Sequence, residues 1–471
     1  MKEIKIRDLV IDDQNPFAGD KLSRQAEIEN LTELLLNVCT PAVFAIDSAW
    51  GTGKSTFVKM WQAYLKQKGV KVSVYFNAWE TDYAADPLIA FLGEMNSSLQ
   101  EHLKEEWGGN EAWSKVKIIG SHIAKRSLPV LVKLGTAGLV DMDQLVEKEL
   151  SSLSEGLTKD SIKAYDDSKS EIKSFKDNLN AVVDTLNEQY PVVVFVDELD
   201  RCRPTYAIEL LERIKHILDI ENLLFVISID KKQLCHCVKS VYGSGIDSIG
   251  YLRRFIDVEY NLKKPEVGSY IGALYEAFDF DSFFEKRKQY NAFAYEREHL
   301  SNVFVLLANA FGFTIREIQQ IFSKINLAIL ATKENEYLHP ALLSFLIVVK
   351  EVKPALFEEY VKKESTPENI IAFLYSKFRM PSRLESFECA LIEGYLINAK
   401  SSSYESKIGL SLEKHQQVLE NTERTREERN YSDWVVNVAK GAGGSYRRIG
   451  LDVLVNKIEL LNQFNLADAG S

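Results

Sequence analysis

Two short stretches carry the residue types that phosphoryl chemistry requires. In SAWGTGKST, Ser48 to Thr56, Gly51 and Gly53 let backbone N–H groups turn toward one point, and Lys54 supplies a cation for β- and γ-phosphate oxygens. The hydroxyl of Ser55, followed by Thr56, is a ligand type for Mg²⁺. A Cβ at either glycine would block close backbone approach or forbid the dihedrals the turn needs, and the helix that follows adds the partial positive charge of its N-terminus. One position departs from the usual G-x-x-x-x-G-K-[ST] spacing: Ser48 stands where the first glycine is expected, a small residue at a strand exit. In PVVVFVDELDR, five apolar residues from Val192 to Val196 deliver Asp197 and Glu198 to the end of a buried strand. Asp197 is placed to hold the hydration shell of Mg²⁺, and Glu198 to polarise or deprotonate an attacking water. Asp200 is a second candidate for the water-activating role, while Asp200 and Arg201 either pair with each other or brace the site.

The elements that must position these residues are legible as alternating patterns. Ile28, Leu31, Leu34 and Leu35 recur at helical spacing, PAVFAIDSAW reads as a strand entering the glycine-rich turn, and Phe57, Trp61 and Leu65 share one face of the next helix. KVSVYFNAW, PVVVFVDELD and NLLFVISID supply three further strands with helical segments between them. Alternation of this kind predicts an α/β fold with a parallel sheet. Residues 1–100 and 188–265 are assigned to this core, 101–187 to a helical insertion and 266–471 to a mostly helical C-terminal region. Within the insertion, the apolar piece 127–140 is about half a membrane span and carries Lys133, which favours a buried helix over an interfacial membrane contact. Ile172, Phe175, Leu179, Val182 and Leu186 step by 3, 4, 3 and 4, a stripe for packing on the core. The polar stretch 400–430 reads as loop or exposed helix, and 441–450 as a glycine-rich turn.

Composition narrows the partners. The chain has 471 residues, enough for roughly two or three domains at about 150 residues each, and its 46% hydrophobic and 27% charged content is that of a globular protein. A net charge of −11 gives no reason to expect nucleic acid as the default partner, so a basic surface would have to be local. The five cysteines, Cys39, Cys202, Cys235, Cys237 and Cys389, form no disulfide framework and fit a reducing compartment. Cys235-His236-Cys237 contains zinc-ligand types without a second pair at zinc spacing, so structural thiols are the favoured reading. No stretch approaches the ~18 uninterrupted apolar residues of a membrane span, and a cytoplasmic location is expected.

With these residues in hand, the chain resembles the KAP family of P-loop NTPases, within the broader STAND/AAA-like class. Trp50-Gly51-Thr52-Gly53-Lys54-Ser55 resembles the family's W-G-S/T-G-K-T/S Walker A core. Phe76-Asn77-Ala78-Trp79 resembles its F-N-A-W element, and Asp197 to Cys202 its Walker B sequence D-D-L-D-R-C, with Glu198 where many members have Asp. Asp20 to Arg24 looks like the D-x-L-x-R segment expected near the nucleotide base, and Ile229-Asp230 ends a strand where related ATPases carry a sensor residue. Tyr251-Leu252-Arg253-Arg254-Phe255 is similar to the Y-L-x-K segment before the last core strand. Thr314 to Ile318 is similar to a helical segment, within a sensor-bearing part at 266–330, whose Arg can face the γ-phosphate. The resemblance implies a P-loop NTPase core, and it covers roughly residues 1–330.

The expected nucleotide-binding residues are therefore Trp50, Gly51, Thr52, Gly53, Lys54, Ser55, Thr56 and Asp197, with Ser55 and Asp197 as Mg²⁺ ligands. The expected catalytic residues are Lys54, Glu198, Arg254 and Arg316. A guanidinium near the transferring phosphoryl group stabilises developing charge, and Arg253 or Arg254 could supply it in trans across an oligomer, or Arg316 in cis. ATP is expected over GTP because no N-K-x-D-like guanine reader follows Walker B. The leading expectation is an Mg²⁺-dependent ATPase, its nucleotide at the junction of the core and the helical region, acting as a conformational or assembly switch with a homo-oligomer or a protein effector as partner. The alternatives are an ATP-gated interaction scaffold with little turnover and a nucleic-acid-stimulated motor. The resemblance further implies a phage-defence or mobile-element setting, as for prokaryotic relatives without membrane helices.

Overall fold

The computed structural model describes residues 9–38, 40–103, 107–136, 159–186, 189–362, 365–378, 386–400, 410–441 and 449–463. The chain divides into two units, Leu9–Lys264 and one that begins at Pro265. In the first, α1 (Gln25–Leu36), β1 (Ala42–Asp47), α2 (Lys54–Gln67) and β2 (Ser73–Asn77) are followed by α3 (Pro87–Leu103), α4 (Trp107–Thr136) and α5 (Lys159–Leu186). Then come β3 (Val192–Asp197), a 3₁₀ turn over Leu199–Arg201, α6 (Pro204–His216), β4 (Leu223–Ile229), α7 (Lys231–Tyr242), α8 (Ser248–Leu252) and β5 (Val258–Asn261).

All pairings are parallel, and the sheet order is β2-β3-β4-β1-β5. Every residue of β3 and β4 is buried, as continuous apolar runs in a parallel sheet require. Side chains alternate between two faces. Phe44, Ile46, Phe195 and Val226 pack on α1 and α2, whereas Val43, Ala45, Val194 and Phe225 pack on the helices of the opposite layer. Three of the four apolar residues foreseen on α1 are buried, but Leu34 is about half exposed because the contact stripe passes through Ile28, Leu31 and Leu35.

The bases of α4 and α5 belong to the core. Trp113, Val116, Ile123, Phe175, Leu179, Val182 and Leu186 join the same hydrophobic cluster as β2, β3 and α3, so the helical stripe of α5 faces the core. The apolar piece 127–140 is helical as far as Thr136, and the rest of it lies outside the described residues.

Register levels the strand ends. Asn77 lies beside Asp197, and Asp47 beside both Ile229 and Asn261, so the C-terminal edge of the sheet carries a row of short polar residues. Each of four bonds the backbone that leaves the sheet. Asp47 accepts the Lys231 N–H, Asn77 those of Trp79 and Glu80, Asp197 that of Glu198, and Asp230 those of Lys232 and Gln233 at the start of α7.

Among the described residues of the second unit, the regular elements are all helices. The helix Ile315–Leu330 begins with a capping box, in which Thr314 and Glu317 satisfy each other's backbone N–H. In the polar stretch at 400–430, helices cover Leu410–Glu420 and the first residues of Arg426–Lys440. Residues 401–409 and most of the 441–450 turn lie outside the described residues. Buried Glu393 accepts hydrogen bonds from the hydroxyls of Tyr375 and Tyr431 and lies 2.9 Å from His415 Nε2, fastening three helices to its own by one carboxylate.

Trp61 anchors the first unit. It is fully buried, donates its indole N–H to Thr32 at 2.9 Å and meets Phe57 and Phe195 edge-on. Trp61→Ala is expected to destabilise this unit by about 3–5 kcal/mol through lost burial and a cavity. In urea unfolding followed by circular dichroism, the transition of the α/β unit should move to lower denaturant while that of the helical unit stays in place.

Candidate functional site

β1 ends at Asp47, and Ser48 donates its N–H to Ile229 O at 3.1 Å, so the loop leaves the sheet tethered to β4. Gly51 and Gly53 then adopt positive φ, 77° and 88°, and Gly53 caps the N-terminus of α2. A Cβ on Gly53 would stand 3.1 Å from Leu22 Cδ1, so this glycine serves both its dihedral and the approach of the Asp20–Arg24 segment. Asp20 organises that segment by accepting the N–H groups of Leu22 and Gln25, while buried Arg24 reaches Lys263 O at 2.7 Å and Glu27 at 3.1 Å. The segment foreseen near the nucleotide thus lies against the phosphate loop through Leu22, with Arg24 tied to the chain leaving β5.

Lys54 is the first residue of α2, and its ammonium donates to the loop carbonyls of Ser48 at 2.5 Å and Ala49 at 3.2 Å. Burial pulls its proton affinity below the ordinary lysine value, while the fields of Asp200, Asp230 and Asp197 act to keep the charge. Those carboxylates come from β3, the turn after it, and the end of β4. Thr52 closes the loop internally by donating its hydroxyl to Ala49 O, and Ser55 and Thr56 occupy the first turn of α2.

Asp197 is almost wholly buried. One of its oxygens accepts the Glu198 N–H at 3.0 Å, and the other the hydroxyl of Tyr75 at 2.9 Å. Burial, followed by the charge of Asp197, raises the Tyr75 phenol far above its ordinary value, so it stays a proton donor to that carboxylate. Glu198 adopts φ 60°, a left-handed conformation unusual outside glycine, at the entry to the 3₁₀ turn. Its Oε1 pairs with Arg201 at 2.7 Å, and its Oε2 faces Asn77 Nδ2 at 3.4 Å. Burial raises the Glu198 carboxyl, an effect the Arg201 charge opposes.

Asp200 and Arg201 do not pair with each other; both brace the site, by different routes. Asp200 accepts the indole N–H of Trp50 and is raised by burial, against that hydrogen bond and the Lys54 charge. Arg201 turns back to Glu198, with its guanidinium over the ring of Trp79. The Tyr75 bond and these two tryptophan contacts are features of the candidate site that the sequence reading did not place. Tyr75 carried a detectable signal in its position two residues before Asn77 on a strand.

The candidate arginines lie on other elements. Arg253 and Arg254 are exposed and lead into the N-terminal end of β5, whereas the phosphate loop leaves the C-terminal end of neighbouring β1. Arg253 lines a cavity of about 190 Å³ with Lys231, Leu252, Ile256, Asp257 and Glu259. Arg316 is exposed on the first turn of Ile315–Leu330, in the helical unit. Cys202 and Cys237 are buried, which raises both thiols, and among the described residues no group of three or more His, Cys, Asp or Glu is arranged to hold a metal. Cys39 lies outside the described residues.

A parallel sheet with a glycine-bent loop and lysine leaving one strand, and an Asp-Glu pair leaving another, defines a P-loop NTPase. The model of the KAP family P-loop domain matches residues 24–329, and the chain belongs to that family. No curated protein matches the chain. Among solved structures, two of the Aeropyrum pernix ORC2 protein are similar to it at 12% identity. The one described as ADPNP-ADP complexes has a TM-score of 0.34 with 95% of each chain covered, and the ADP form a TM-score of 0.31 with 97% of each covered. No helix among the described residues is long and apolar enough to cross a membrane.

The donor set fits a nucleotide with Mg²⁺: a glycine loop at a helix N-terminus for phosphates, Lys54 beside it, and Asp197 and Ser55 as oxygen ligands of the kind Mg²⁺ takes alongside substrate phosphates and water. Gly53→Ala would impose a left-handed conformation on an L-residue and press on Leu22. ATP affinity measured by calorimetry should fall by roughly 10-fold or more, with little change in the circular dichroism spectrum. Trp50→Phe would leave the buried Asp200 carboxylate without its indole donor, at a cost of about 1–3 kcal/mol, and should lower the thermal midpoint of the α/β unit.

Proposed function

We propose that the Leu9–Lys264 unit binds ATP with Mg²⁺ and hydrolyses it, and that this cycle drives a conformational or assembly switch. One observation carries the reading: Lys54 lies in the glycine loop within the field of Asp197 and Asp200, with Glu198 on the same turn. Binding would exchange the Lys54 bonds to Ser48 O and Ala49 O for bonds to phosphate oxygens, with the loop N–H groups and the α2 N-terminus completing the cradle. Ser55 and Asp197 would hold Mg²⁺, which supplies charge neutralisation on the phosphates. Glu198 accepts a proton from the attacking water as its oxygen bonds to the γ-phosphorus. The bond from that phosphorus to the β-γ bridging oxygen breaks, ADP leaves, and the proton passes on to inorganic phosphate. Arg254 contributed by a neighbouring copy, or Arg316, is the proposed source of the further positive charge. A homo-oligomer or protein effector as the responding partner, a cytoplasmic setting and a defence or mobile-element role complete the proposal, the last resting on the family resemblance.

Phosphate release tests it. Lys54→Ala should abolish ATP binding, whereas Glu198→Gln should keep binding but lose about 10²- to 10⁴-fold in turnover; turnover equal to wild type in both variants would sink the hydrolase reading. The base must be ionised to act. With burial raising the Glu198 carboxyl, kcat should climb through an acid limb lying above the ordinary value of 4.5, and this limb should be missing from the residual rate of Glu198→Gln.

A further inference from the structure

Aromatic side chains exposed singly are ordinary on a protein surface, but a connected row of them marks a contact. The helical unit carries such a row. Tyr295, 66% exposed, precedes the helix Glu296–Phe311, and His299 lies one turn further on, so the two rings stack at 6.2 Å and 27°. His299 meets Phe387, the first residue of the helix Phe387–Lys400, at 6.0 Å. Phe387, 38% exposed, in turn meets Trp434 of the helix Arg426–Lys440 edge-on at 5.8 Å. His299 and Trp434 are themselves partly exposed. Each of these helices is anchored by fully buried residues, Phe304, Ile392 and Val435 among them, so the row is presented on packed elements and little ordering is needed to use it. The charges beside it have one sign. Glu298 and Glu388 both act to keep a proton on His299, but burial outweighs them and lowers its proton affinity below the ordinary 6.5, which leaves the ring uncharged near neutral pH. Glu388 takes a long bond of 3.5 Å from Asn302, and among the described residues no lysine or arginine forms an ion pair with either glutamate.

We propose that the row Tyr295, His299, Phe387 and Trp434, with Glu298 and Glu388 at its side, is a docking surface for an arginine-bearing segment of a partner protein. The face of an aromatic ring attracts cations, and a guanidinium is planar and weakly hydrated, so it stacks on such a face at little desolvation cost. Its N–H groups then reach the neighbouring carboxylates in charge-assisted hydrogen bonds. Charge complementarity also selects against the other polymer that uses aromatic platforms: a single nucleic-acid strand needs cations along its phosphates and would meet Glu298 and Glu388. The surface lies within the helical unit, and its assignment stands whether or not the α/β unit hydrolyses ATP.

The test is fluorescence anisotropy with the full chain and a fluorescein-labelled peptide of alternating glycine and arginine, the same peptide with glutamine for arginine serving as control. The arginine peptide should bind and the glutamine peptide should not. Tyr295→Ala and Glu298→Gln should each weaken binding about threefold, and together about tenfold, the scale of an exposed cation–π contact and its neighbouring charge. Tyr295→Phe, which keeps the ring, should bind as wild type. So should Glu221→Gln, which removes the same charge from an exposed position in the α/β unit. Tyr295 and Glu298 are both exposed, so the helical unit does not need them to fold. Equal affinity for the two peptides overturns the proposal, as does wild-type affinity in the double variant. Equal weakening by Glu221→Gln and Glu298→Gln also overturns it, because binding then follows net charge. Labelled oligothymidylate that binds more tightly than the peptide and is lost in Tyr295→Ala assigns the row to single-stranded nucleic acid, and self-association in the ultracentrifuge that is lost in Tyr295→Ala assigns it to a second copy; either result overturns the arginine-bearing partner.

Discussion

The structure depends on how buried parallel strands end. Each strand enters its C-terminal edge from a hydrophobic interior, and the chain leaving it exposes N–H groups that no neighbouring strand can take. Asp47, Asn77, Asp197 and Asp230 resolve this with short side chains that accept those N–H groups at once, each over one to three residues or across to the adjacent connection. Three of these side chains, Asp47, Asp197 and Asp230, place carboxyl groups where the phosphate loop and the 3₁₀ turn also begin. Terminating the strands and furnishing the site are therefore one arrangement, and Lys54, drawn down in proton affinity by burial, sits where these negative fields converge.

Much of this could be read from the chain. A continuous β-branched run such as Val192–Val196 favours a strand buried on both faces, and Gly51-Thr52-Gly53-Lys54 between a strand and a helix favours a loop that bends toward an anion. The α5 stripe from Ile172 to Leu186 was also legible, because a helix packed on a core must repeat its apolar residues at three and four. The side-chain pairs were not. Trp50 and Asp200 are 150 positions apart, Tyr75 and Asp197 are 122 apart, and no local periodicity carries such information. Arg201 was read as pairing with Asp200 or bracing the site, and its partner proves to be Glu198, whose left-handed backbone opens the same turn.

Charge reads differently at the two scales. The chain as a whole is acidic, and the strand ends concentrate that sign, so the few cations nearby carry unusual weight. Lys54 and Arg201 stand among Asp197, Glu198, Asp200 and Asp230, while the exposed indoles of Trp50 and Trp79 each hold one member of the Walker B turn. Two aromatic side chains thus link surface to site, one through an N–H and one through a ring face.

The sheet order also governs how the polypeptide can be made. Ser73 pairs with Val193 and Ala42 with Leu224, so at 5–20 residues per second a ribosome finishes β2 on the order of ten seconds before its partner strand emerges. In that interval β2 and the apolar faces of α1 and α2 have no sheet to join. The paired helices α4 and α5 bring the two ends of the intervening chain together, which turns a long search into a short one. For nascent chains, that helical pair is as much an assembly aid during synthesis as an ornament on the finished fold, and it makes the stretch between β2 and β3 the window in which a chaperone would find the most to hold.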